Sequence, residues 1–143
     1  AHPTFLAKRW FGADYQGNLY FHGGLGIASG INDNPGSDQM AIYGGVMADW
    51  ETRSLFVGYR NRYLEAGDYA SQFMQAFRTG FAPYVGASGD LHTWLMLEID
   101  HRPSDPDSVT ATPLVRFFKG PLLVEAGYNL TVNQPLFNFT YRF

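Results

Sequence analysis

Glu98 and Asp100 stand two residues apart in an otherwise apolar run, WLMLEID. Two carboxylates at one site can divide into general acid and general base when their surroundings push their proton affinities apart. These two keep company with Arg60, Arg62, Arg78, Arg116 and Arg142, and with the further acids Asp49 and Glu125. A guanidinium fork satisfies a carboxylate through two parallel bonds, so the residue types point to ion pairing rather than proton transfer. The histidines carry little metal chemistry. His92 and His101 are nine apart and fall on opposite sides of a strand, His22 is isolated, and no HxxxH or HExxH spacing occurs. With no cysteine, thiol nucleophiles, disulfides and Cys-ligated zinc are excluded. There is no P-loop, GxSxG or dinucleotide fingerprint. GGLGIASG is glycine-rich, but it has strand periodicity and no helix after it. No cofactor and no metal are implied, and a net charge of −3 argues against a nucleic-acid surface.

The elements that must carry these charges alternate with a period of two. In LLVEAGYNLTV, residues 122–132, the even positions are all apolar or aromatic, while the odd ones include Glu125, Asn129 and Thr131. The same split recurs over 18–29, 40–50, 53–63, 72–86, 91–101 and 109–118, and in the terminal QPLFNFTYRF. That makes about eight strands of roughly 8–14 residues, close to the length a tilted strand needs to cross a bilayer. Turn-rich connections (INDNPGSDQ, YLEAGDY, HRPSDPDS, NQP) alternate with tighter ones (ET, ASGD, KG). Residues 1–17 do not join the pattern. PTFLAKRWF reads either as a short amphipathic helix capped by Thr4, with Lys8 and Arg9 suited to lipid headgroups, or as an irregular arm. The chain thus divides into an N-terminal arm or interfacial helix, 1–17, and one β domain, 18–143. Ala1 fits the residue left after signal-peptide cleavage.

The charges say which face is the outside. Across the apolar faces of the eight segments the single charge is Arg53, at a strand end. The opposite faces hold Asp49, Arg60, Arg62, Arg78, Glu98, Asp100, Arg116, Glu125 and Arg142, among glycines and alanines. A soluble barrel would show a denser Lys, Glu and Ser face to water. Arginine-rich pairing among small residues fits a narrow lumen with the apolar face turned to lipid. No stretch of ~18 apolar residues is present to form a membrane-crossing helix. The expected fold is therefore all-β: an eight-stranded, antiparallel, up-and-down transmembrane barrel. In it the charges form two layers, Asp49, Arg116, Glu125 and Arg142 toward one end and Arg60, Arg62, Glu98 and Asp100 toward the other, with Arg78 between. The last strand closes the barrel against residues 18–29.

On these residues the chain resembles the small eight-stranded outer-membrane barrels of Gram-negative bacteria, the class that includes the OmpA transmembrane domain and OmpX. The most specific piece is FNFTYRF. Its alternating Phe137, Phe139, Tyr141 and Phe143 look like the C-terminal signal read by the outer-membrane assembly machinery. The resemblance implies an integral outer-membrane location, both termini in the periplasm, and contact with membrane lipid and lipopolysaccharide. A weaker resemblance, to the lipid A palmitoyltransferase family, implies a catalytic His with an Asp-Ser pair near the outer surface. The nearest residues here are His101, Asp107 and Ser108, in one loop. The His-x-Ser arrangement of the lipid A deacylases is absent. The expected role is structural, or that of a subunit in a membrane assembly. A lipid A-modifying acyl enzyme is the first alternative and a narrow channel for small molecules the second.

Overall fold

A computed structural model describes residues 3–29 and 38–141. Nine strands follow one another: β1 Thr4–Phe11, β2 Tyr15–Ala28, β3 Gln39–Thr52, β4 Leu55–Glu65, β5 Ser71–Phe81, β6 His92–His101, β7 Val109–Lys119, β8 Leu122–Asn129 and β9 Gln134–Tyr141. Each pairs antiparallel with the next, in a single sheet ordered β1 to β9. No helix occurs among the described residues. The β1–β2, β3–β4, β5–β6 and β7–β8 connections lie at one end, called proximal below, and the others at the distal end.

The alternation places two unlike faces on this sheet. One carries Leu25, Ile27, Met40, Ile42, Phe77, Leu97, Phe137 and Phe139, all exposed. The other carries Asn18, Glu98, Thr112 and Glu125, all buried. Burial of the polar face follows from curvature. Arg78 on β5 bonds Glu125 on β8 at 2.8 Å, although three strand spacings in a flat sheet are about 14 Å. The polar face is therefore concave. Toward its proximal end it is filled by Trp94, Met96 and Leu114, with Phe56, Ala82 and Phe118 packed against them.

The structure corrects three expectations. Residues 4–11 are neither a helix nor an irregular arm but strand β1, which makes nine strands rather than eight. A bulge at Ala7 explains why the pattern hid it: the register passes from Leu6↔Tyr20 to Lys8↔Leu19, so the parity of the faces switches within the strand. The expected closure of the last strand on residues 18–29 does not occur. β1 takes that edge of β2 over Gln16–His22, β9 pairs with β8, and the sheet is not closed. The β5–β6 connection is also longer than the four residues expected, spanning 82–91. Pro83 has no ladder donor, and the Ala82 amide leaves the sheet to bond the Ser54 carbonyl at 2.8 Å. β8 likewise stops at Asn129, whose side-chain oxygen accepts from the Thr131 and Val132 amides.

Two glycines separate packing from permissiveness. A side chain at Gly45 would collide with the Asn61 carbonyl and the His22 ring, whereas nothing lies within 4 Å of a Cβ at Gly26. Gly45→Ala is expected to lower stability by about 1–3 kcal/mol through overpacking. Gly26→Ala should stay within about 0.5 kcal/mol of the parent. Urea unfolding midpoints of the two variants measure the contrast.

Candidate functional site

The concave face is organised by two buried carboxylates. Glu125, opposite Arg116 and Asn138 in the ladders, is 4% exposed. Its Oε1 accepts from Arg78 Nη1 at 2.8 Å, Arg116 Nε at 2.8 Å and Arg116 Nη2 at 2.7 Å. Its Oε2 accepts from Asn138 Nδ2 at 2.9 Å. Glu98, opposite Arg78, accepts from Arg78 Nε at 2.7 Å on Oε2 and from Arg60 Nη2 at 3.2 Å on Oε1. Arg60 then reaches Asp100 at 3.8 Å. The result is one chain, Asp100–Arg60–Glu98–Arg78–Glu125–Arg116, running across β4 to β8. A buried carboxylate is tolerable only when its charge and lone pairs are met, and here both are. The Arg116 guanidinium also lies 5.9 Å from the centroid of Phe56, which ties the network to the apolar cluster below it.

The nine charges singled out in the sequence therefore separate into groups. Six form the chain just described, with Arg78 joining the two expected layers through its two carboxylates. Asp49 stands apart: its Oδ1 accepts from Asn18 Nδ2 at 2.7 Å, and Asn18 Oδ1 accepts from Arg9 Nε at 2.7 Å. Arg62 joins no carboxylate among the described residues and lies over the Tyr43 ring, 5.8 Å from its centroid. Arg142 and Phe143 fall outside the described residues, as does most of the INDNPGSDQ connection. Sequence reasoning did not name Arg9 and Asn18 among the interior polar groups. Asn18 sits at an inward position of β2, and that parity was its signal. Arg9 was concealed by the bulge.

The candidate acyl-transfer set is not assembled. His101 ends β6 on the convex face, where its Nδ1 accepts from Gln75 Nε2 at 2.9 Å. Gln75 Oε1 accepts from the Tyr59 hydroxyl at 2.9 Å, and Tyr59 Oη accepts from Asn61 Nδ2 at 3.3 Å. Asn61, Gln75 and His101 are direct cross-strand partners, so they form a polar row on a mostly apolar face. Asp107 lies in the β6–β7 connection, and the Ser108 carbonyl accepts from the Arg102 amide at 2.7 Å. No hydrogen bond joins His101 to Asp107 or Ser108 among the described residues.

The convex face has its own order at the proximal end. Trp10, Gly17 and Trp50 are register partners on β1, β2 and β3. A Cβ at Gly17 would lie 3.4 Å from the Trp50 ring and 3.7 Å from that of Trp10. Tyr15 stacks on Trp50 at 6.4 Å, and the Lys8 ammonium lies 5.0 Å from the Trp10 centroid. Phe137, Phe139 and Tyr141 are exposed on the same face of β9. No group of His, Asp and Glu among the described residues is arranged to hold a metal. Comparison with protein-family models, with curated proteins and with solved structures finds no match.

Proposed function

We propose that this chain is an integral β-barrel protein of a bacterial outer membrane, with its convex face in lipid and a structural or assembly role. One observation carries the reading: large apolar side chains project outward while charge is drawn inward. Ile27, Met40 and Phe137 are 75%, 72% and 74% exposed, whereas Glu98 and Glu125 are 5% and 4% exposed. In water the exposed apolar face is costly. In a bilayer that face meets lipid, while the inward charges stay paired with one another. The Tyr15, Trp10 and Trp50 cluster, with Lys8 beside it, suits the membrane–water interface. Lipid offers no hydrogen bonds to the free edges of β1 and β9, so a bilayer requires those edges to be paired. β1 and β9 run in the same direction, so a direct seam between them is parallel.

The paired interior favours a structural role over an open pore, and the engagement of His101 with Gln75 on the convex face favours it over acyl transfer. The partners of this reading are membrane lipid, including lipopolysaccharide, and assembly machinery that recognises the aromatic stripe of β9. The three tryptophans provide the test. In vesicles, brominated lipid is expected to quench Trp10 and Trp50, both 44% exposed, and to spare Trp94, 9% exposed. Single-tryptophan variants separate the signals. A monomer that folds in detergent-free buffer, or equal quenching of all three, would sink the membrane reading.

A further inference from the structure

Above the ion-pair chain the concave face opens into a cavity of about 370 Å³, lined in part by His22, Tyr43, Met47, Arg60, Arg62 and Met74. We propose that this distal chamber binds a small aromatic carboxylate, with Arg62 as the anion-recognition residue. Charge comes first. The lining holds three cations, Arg60, Arg62 and Arg102, against one carboxylate, Asp100. Arg102 has an ion pair of its own with Asp105 at 3.8 Å. Arg60 is shared between Glu98 and Asp100. Arg62 is exposed and has no carboxylate partner among the described residues. Its planar fork is therefore available for bidentate capture of an anion.

The walls choose the body of the ligand. Met47 and Met74 line the chamber beside Tyr43 and Ala76, and methionine sulfur makes favourable contacts with aromatic rings. Tyr43 already holds the Arg62 guanidinium 5.8 Å from its centroid, which orients the fork beside the apolar wall. His22 lies in the same lining, and its Nδ1 is buried without a hydrogen-bond partner among the described residues. A buried polar atom left in that state marks a wall whose contacts are incomplete. A flat ring with one carboxylate matches a positively charged mouth and a thioether-lined wall. A phosphate would leave the methionines uncovered. The proposal goes beyond the membrane reading and does not depend on it, because the chamber faces the concave side whatever covers the convex one.

The chain contains four methionines, and they suit the test. Met47 and Met74 line the chamber, Met40 is exposed on the convex face, and Met96 is buried in the proximal core. Methyl-¹³C methionine NMR of the full chain, in whichever of aqueous buffer or nanodiscs it folds, follows titration with benzoate, neutral benzamide and cationic benzamidine. Benzoate is expected to move the Met47 and Met74 signals with about tenfold higher affinity than benzamide, and benzamidine should not move them. Arg62→Gln should weaken benzoate about tenfold, with the Met96 signal unchanged as evidence that the variant is folded. Equal responses to the three probes, movement of Met40 alone, or full affinity in a folded Arg62→Gln variant would each overturn the proposal. Should that variant not fold, the comparison of the three probes on the parent chain decides. Failure of the membrane reading would appear in the lipid-quenching experiment, not in this one.

Discussion

Leu97→Arg is expected to cost about 2–4 kcal/mol in vesicle-inserted protein, the penalty for a cation near the midplane on the lipid face of a barrel. Leu97 lies in the middle of β6, 40% exposed on the convex face and opposite Thr79 and Pro113 in the neighbouring strands. No carboxylate shares that row, so the guanidinium has no partner there. In water the same substitution at a partly exposed site would change stability by about 0.5 kcal/mol or less. The sign and size of the effect therefore report what solvent the convex face meets. Thr110→Lys is the matched control. Thr110 borders a concave cavity of about 690 Å³ and is the register partner of Asp100, so a lysine there has both room and a counter-charge. Its cost should stay below about 1 kcal/mol. Urea unfolding in vesicles, followed by tryptophan fluorescence, measures both. Equal tolerance of the two substitutions would remove the case for lipid on the convex side.

Glu125→Ala is expected to lower stability by about 3 kcal/mol, because it leaves two half-buried guanidinium groups without their counter-charge. Arg78 and Arg116 would lose bonds of 2.8 Å and 2.7 Å to one oxygen, and Asn138 would lose its 2.9 Å bond to the other. Arg78 would keep Glu98 at 2.7 Å, so the larger uncompensated loss falls on Arg116. Adding Arg116→Ala to Glu125→Ala should then recover part of the loss, with a coupling energy above about 1 kcal/mol. Strict additivity in that double-mutant cycle would mean that the carboxylate acts through packing alone. The same substitutions address conduction. If the pairs plug the concave face, the parent should stay silent in planar bilayers, and Glu125→Ala should be the variant most prone to current.

The legible part of this fold was the part written in local alternation. Strands β2 to β9 match the segments read from the sequence to within a few residues, except where Pro83 ended β5 early and Asn129 capped β8. The assignment of charges to one face was legible for the same reason, since neighbouring side chains on a strand point to opposite sides. β1 was illegible because one extra residue at Ala7 reverses that parity within a strand of eight. A pattern search then finds two short fragments, out of phase, where there is one strand.

By itself the sequence determined the strand period, the division into an apolar and a charged face, and the pairing chemistry of arginine with carboxylate. Each depends only on neighbours along the chain. Tertiary structure decided which strand takes the edge of β2, because β1 and β9 compete for it and nothing local favours either. It also decided that the charges form one chain rather than two layers. Arg78 meets both Glu98 and Glu125 only because curvature brings β5 within reach of β8. The same curvature leaves Arg62 above the network, paired with a ring instead of a carboxylate.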